Sequence, residues 1–295
     1  MAPFARSSSV RLPRFAGRIT VLAAMLAAGA AQGQVVFNAS GLAAGDITGQ
    51  VDAFRTTLGT LNANAPGSVG SGRREINWDG VPDTFASPNL FPGDFFNANL
   101  VGRARGVEFS TPGGGFQVSA NAVNPTATPV EFGNLNASYP SIFATFSPQR
   151  LFTAIGSTVV DVRFFVPGSS TPALTRGFGA IFTDVDSSTS SSISFFDAAD
   201  NLLQAYSVPA ITGDETFSFL GVDYGSAVVS HVRITSGNEA LAPNSTAVVV
   251  MDDFIYGEPI AAVPEPETTA LMLAGFGALA AALRKRRRQG SLAKS

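Results

Sequence analysis

The alternation in residues 158–166 (TVVDVRFFV) restricts this chain more than any other stretch. Val160, Val162, Phe164 and Val166 fall on one face, and Asp161 and Arg163 on the other. A period of two belongs to a β-strand with one face buried and the other wet. Runs of this kind recur from Gly106 onward, at 106–110, 115–119, 142–146, 179–183, 192–196, 202–208, 216–220, 227–235 and 247–256. Clusters of Gly, Pro, Ser, Asn or Asp separate them. The spacing predicts an all-β domain, an antiparallel β-sandwich of jelly-roll-like form.

One short helix is expected before the strands. Ile47, Val51, Phe54 and Leu58 recur at spacings of four, three and four, and Asp46 is placed to cap the N-terminus. Residues 61–72 (LNANAPGSVGSG) read as a loop. Residues 73–99 hold the single tryptophan, Trp78, followed by Phe85, Leu90, Phe91, Phe95 and Phe96 among Pro and Gly. That pattern predicts a packed loop region without regular strands. Residues 257–262 (GEPIAA) read as a linker.

The two ends have a different character. Arg6, Arg11, Arg14 and Arg18 precede an apolar run of 13 residues, 19–31, and small residues follow. This is the form of a secretory signal peptide, placed at 1–33, whose helix is too short to span a bilayer. At the other end Pro264, Glu265 and Pro266 precede 16 residues without charge, 268–283, and then Arg284, Lys285, Arg286, Arg287 and Arg288. As a helix, that apolar run covers roughly 24 Å, somewhat less than the hydrocarbon core of about 30 Å. It predicts a C-terminal transmembrane helix whose basic flank stays cytoplasmic. The prolines favour an extended peptide at the outer membrane face, and 289–295 form a cytoplasmic tail.

This three-part tail, 263–288, resembles the PEP-CTERM sorting signal. The resemblance implies an exported protein of a Gram-negative bacterium that makes extracellular polysaccharide. It also implies an exosortase-type membrane protease that cuts near Pro264-Glu265-Pro266. General secretion machinery and signal peptidase are the expected partners at the N-terminal end. Three stretches of the body, RREINWDG (73–80), GFGAIFTDVD (177–186) and MDDF (251–254), resemble a β-rich domain found in such proteins. No established activity comes with that resemblance.

Composition narrows the chemistry of the body, 34–262. It keeps 9 basic and 20 acidic residues, a net charge of −11, which argues against nucleic acid as a partner. The chain has no cysteine, so disulfides, thiolate metal sites and thiol catalysis are excluded. Both lysines, Lys285 and Lys294, lie in the tail, and His231 is the single histidine.

Four aspartates are candidate oxygen ligands for Ca²⁺, which takes about six to eight. Asp184 and Asp186, in FTDVD, are expected on the same side of a strand, and Asp252 and Asp253 end the apolar run VVVMDD. The alternative is strand-end turns that accept backbone hydrogen bonds. Trp78, beside Asp79, Asp83, Arg73 and Arg74, is either a carbohydrate-stacking ring or a plug for one end of the sandwich. His231 shares a polar strand face with Arg233 and Thr235 and reads as a surface histidine. No nucleophile motif accompanies it.

The body is therefore expected to be a non-catalytic structural protein of the cell surface or matrix, linked to exopolysaccharide, with no required cofactor. A carbohydrate-binding module, with Ca²⁺ or without, is the alternative. A glycan-acting hydrolase, which needs only two carboxylates, is the third.

Overall fold

The computed structural model describes residues 33–262 and Phe276. The signal helix, the Pro-Glu-Pro tripeptide, the transmembrane helix and the basic cluster lie outside the described residues. Among the described residues no helix is long and apolar enough to cross a membrane.

In chain order these residues form β1 (Val35–Gly41), α1 (Ala44–Leu58), β2 (Arg73–Ile76), β3 (Val107–Ser110), β4 (Gly115–Val118), β5 (Phe152–Ile155) and β6 (Val159–Phe164). Then come β7 (Ala173–Leu174), β8 (Gly177–Thr183), β9 (Ser192–Phe196), β10 (Leu202–Ser207), β11 (Phe217–Asp223), β12 (His231–Thr235), β13 (Val250–Gly257) and β14 (Ile260–Ala261). One sheet runs β1-β11-β8-β13-β5-β4, with β2 also paired to β13; the other runs β10-β9-β12-β6-β3. The ladders are antiparallel. From β8 to β13 the chain repeatedly crosses between sheets, as in the jelly-roll-like sandwich expected.

The inner faces meet in one core. Val160, Val162 and Phe164 of β6 are buried against Phe178, Phe182, Phe254 and Tyr256 of the facing sheet, while Arg163 points to solvent. The helix packs on the other face of the larger sheet. Ile47, Val51, Phe54 and Leu58, the residues its spacing selected, bury against Ile181, Phe217, Phe219 and Ile255. Strands β8, β11 and β13 are consequently buried along their whole length, and their sequences lack the strict alternation of a half-wet strand. Gly179 and Gly221 face each other across β8 and β11. A Cβ on either would stand 2.9–3.0 Å from the Phe54 ring, so the glycines make the floor on which that ring lies.

Several expectations need correction. Ala43, not Asp46, is the N-cap; Asp46 sits three residues further on and its carboxylate accepts the Ala43 N–H at 3.0 Å. Residues 142–146 are not a strand. Ile142 and Phe143 donate to the Tyr139 carbonyl in a turn, and further on Ala144 donates to the Thr183 hydroxyl and Phe146 to the Asp252 carboxylate. Strands β1, β2 and β5 were not foreseen. β1 lies on the sheet edge with Val35 and Val36 exposed, and β2 and β5 are four residues each. The 257–262 stretch is not a free linker. Ile260 and Ala261 pair with Leu174 and Ala173, and the Glu258 side chain is buried.

Candidate functional site

The three stretches of the body singled out in the sequence are neighbours in space, because β13 pairs with both β2 and β8. Register breaks at their meeting point. Val250 and Met251 pair with Thr183 and Phe182, but Phe254 pairs with Ala180. Asp252 and Asp253 therefore stand together opposite Ile181, a β-bulge inside the strand and not a strand end. The far edge of β13 changes partner at the same place, from Phe152 of β5 at Met251 to Ile76 of β2 at Phe254. The Trp78 indole N–H donates to the Asp252 carbonyl at 2.7 Å, which satisfies a group displaced from the ladder.

The bulge turns two carboxyl groups inward. Phe146 N–H donates to Asp252 Oδ2 at 2.6 Å. Ser147 Oγ lies 2.6 Å from Asp253 Oδ1 and 3.1 Å from Asp252 Oδ1. A hydroxyl has one proton to give, so the shorter contact is its donation to Asp253 and the longer one is satisfied when Asp252 is protonated. Burial, then the Asp253 charge and its hydrogen bond, push Asp252 well above the usual carboxylate range. Burial also raises Asp253, against hydrogen bonds from Ser147 and Asp252 and the charge of Arg55. Asp253 faces Arg55 Nη2 at 3.3 Å, which favours its charged form over that of Asp252.

Around Asp253 opens a cleft of about 520 Å³. Arg55 reaches it from α1 and grips Glu75 of β2 through Nε at 3.1 Å and Nη2 at 3.0 Å. Arg73 Nε adds a contact to Glu75 at 2.6 Å. Asn64 and Arg105 also line the cleft. Asn64 Oδ1 and Arg105 Nε are shielded from solvent and have no hydrogen-bond partner, although Arg105 Nη1 donates to the Glu75 carbonyl and its guanidinium lies 4.4 Å over Phe96. Beside the dyad, burial pushes the Asp79 carboxyl up to about 6, with the Asp253 charge adding to the rise.

These carboxyls predict a pH dependence. Asp79 rises to about 6, and Glu131 and Asp184 to about 7, each by burial first. A raised folded-state value means that the native protein holds more protons than the unfolded chain. Stability is then complete below about pH 4 and declines as pH rises to about 7. Each such group loses at most about 1.4 kcal/mol of its contribution per pH unit in that window, and less where solvent screens it. Denaturant midpoints measured from pH 4 to pH 8 should fall with pH, and Asp184→Asn should flatten the profile up to about pH 7. A midpoint that rises across the range contradicts the assignment.

The four aspartates expected as ligands form two separate pairs. Asp252 and Asp253 sit at the bulge. Asp184 follows β8 with φ +70°, so its left-handed backbone breaks the alternation that was to align it with Asp186. Among the described residues no three His, Asp or Glu side chains gather as metal ligands. Trp78 is not a stacking surface for sugar: its exposure is 0%, it stacks on Phe152 at 4.0 Å, and it meets Phe91, Phe96 and Phe254 edge-on. His231 is not a surface histidine. The Phe196 ring lies flat on it at 4.4 Å, and burial, then Arg163, lowers its pKa. Pro264, Glu265, Pro266 and Arg284 to Arg288 lie outside the described residues. Sequence reading missed Arg55, Asn64, Arg105 and Ser147; of the cleft, the quoted stretches held Glu75, Asn77 and Asp253.

A protein-family model described as "PEP-CTERM protein-sorting motif" matches residues 262–288. The chain thus carries the sorting motif of exported proteins processed by an exosortase-type system. No curated protein matches it. One solved structure is similar, the enzymatically active domain of tailspike protein 4 from bacteriophage CBA120, at 15% identity and TM-score 0.25. The match covers 60% of this chain and 22% of that one. A likeness of that size defines neither fold nor activity.

Proposed function

We propose that the protein is a non-catalytic surface component that holds extracellular polysaccharide in the cleft beside the β13 bulge. The observation that carries this is the polar lining of the cleft, where the amides of Asn62, Asn64 and Asn77 meet the charged Arg55, Glu75, Arg105 and Asp253 around one opening. A sugar hydroxyl both donates and accepts, and so suits a lining that mixes carboxylate and amide oxygens with amide and guanidinium N–H groups. Asp252 is 1% exposed and hydrogen-bonded inward, which favours binding over general acid–base chemistry.

On this reading the general secretion machinery exports the chain and signal peptidase removes 1–33. The apolar run near the C-terminus anchors it, with Arg284 to Arg288 inside, until the exosortase cuts at Pro264-Glu265-Pro266. The body then reaches the cell surface or matrix of a Gram-negative bacterium.

The test is binding of the full-length protein, purified in detergent, to an array of bacterial exopolysaccharides. Arg105→Ala and Asn64→Ala should each weaken binding about tenfold, the effect of roughly 1.4 kcal/mol of lost hydrogen bonding. Binding untouched by both changes would place the glycan elsewhere. An array with no bound glycan rejects the reading.

A further inference from the structure

We infer that a second site, at the end of β8, binds a divalent cation, and that its chemistry selects Ca²⁺. Asp184 stands there with 5% exposure, yet its Oδ1 is buried without a hydrogen-bond partner. Its side chain lines a small cavity of about 50 Å³ together with Asp186, Ser187, Ser190 and Asn238. Such a volume admits an ion and one or two waters. A protein seldom buries a carboxylate oxygen without a donor, because the loss of hydration goes unrepaid. A cation repays it directly.

The polar part of the lining is anionic, and Ala247, Val248 and Val249 close its other side. Asp186 Oδ1 accepts the Gly213 N–H at 2.9 Å, which fixes that carboxyl toward the loop 211–216. No cationic side chain lines the cavity. Burial, then the charges of Asp186 and Asp214, push the Asp184 carboxyl up to about 7. Two carboxylates, an amide oxygen and two hydroxyls, set on loops, make an irregular set. Ca²⁺ tolerates that geometry, whereas Mg²⁺ demands a near-ideal octahedron. With only two carboxylates the affinity belongs to the weak range of extracellular modules, about 10⁻⁴–10⁻³ M.

The site lies apart from the cleft and stands or falls independently of glycan binding. It is tested by thermal unfolding of the full-length protein in detergent at pH 8, in chelator and in increasing CaCl₂. A Ca²⁺ level a hundredfold above Kd should raise Tm by about 5–10 °C, with Mg²⁺ giving a smaller rise. Asp184→Asn and Asp186→Asn should abolish the rise. In chelator Asp184→Asn should melt no lower than the wild type, since it removes a buried charge while keeping shape. The inference is overturned by three outcomes: no rise in the wild type, a rise that survives both substitutions, or an Asp184→Asn protein that melts lower in chelator. The last would make the carboxylate a purely structural group.

Discussion

Glu258→Ala should lower unfolding free energy by about 3–5 kcal/mol, as expected when one partner of a buried ion pair is removed. Glu258 and Arg74 are each 1% exposed at the side chain, and Arg74 Nε and Nη2 reach the two carboxylate oxygens at 2.7 and 2.9 Å. The remaining guanidinium protons go to the carbonyls of Ala63, Gly67 and Ala104 at 3.1, 3.1 and 2.6 Å. Glu258 also accepts from Asn62 and from the Val69 N–H. One residue thus ties β2, the 61–72 loop and the segment that leads into the sorting motif. Without Glu258 the Arg74 charge stays buried and unpaired, which is the origin of the large penalty. The double change Arg74→Met, Glu258→Leu should recover only part of the loss, because three loop carbonyls then lose their donor. Urea unfolding of the four proteins in a double-mutant cycle measures this. A loss below about 1 kcal/mol for Glu258→Ala would show that water reaches the pair.

Trp78→Ala should cost a comparable 3–5 kcal/mol, about the usual figure for truncating a fully buried aromatic ring. The indole fills the centre of the sandwich between Phe152, Phe91, Phe96 and Phe254. Its N–H also holds the bulge carbonyl of Asp252. Trp78→Phe keeps most of the ring contact and loses that donor, so its cost should be about 1–3 kcal/mol. Glycan binding by folded Trp78→Phe should be unchanged, since no part of the ring is exposed. Binding lost with the fold intact would return Trp78 to the ligand site.

Sequence reading succeeded where a local period governs structure. The helix face of Ile47, Val51, Phe54 and Leu58 and the inward face of β6 emerged as spaced. It failed where long-range partners intervened. Residues 142–146 have strand composition, yet the N–H groups of Ala144 and Phe146 meet Thr183 and Asp252, over a hundred positions away in the second case. Asp252 and Asp253 resembled a strand end because two adjacent acids normally stop a buried run; a bulge let β13 carry both inward. The cleft itself draws on α1, the 61–72 loop, β2 and the 146–148 loop, and no local pattern announces such an assembly.

By itself the sequence determined the sheet class, the helix face and the sorting motif, since each rests on residues within one turn, one strand or one short tail. Tertiary structure alone decided that Trp78 is core, that Asp252 and Asp253 are buried side by side, and that Asp184 Oδ1 lacks a donor. Those properties depend on burial and on partners from distant parts of the chain, and desolvation, which sets the cost of each buried polar group, is a property of the assembled fold.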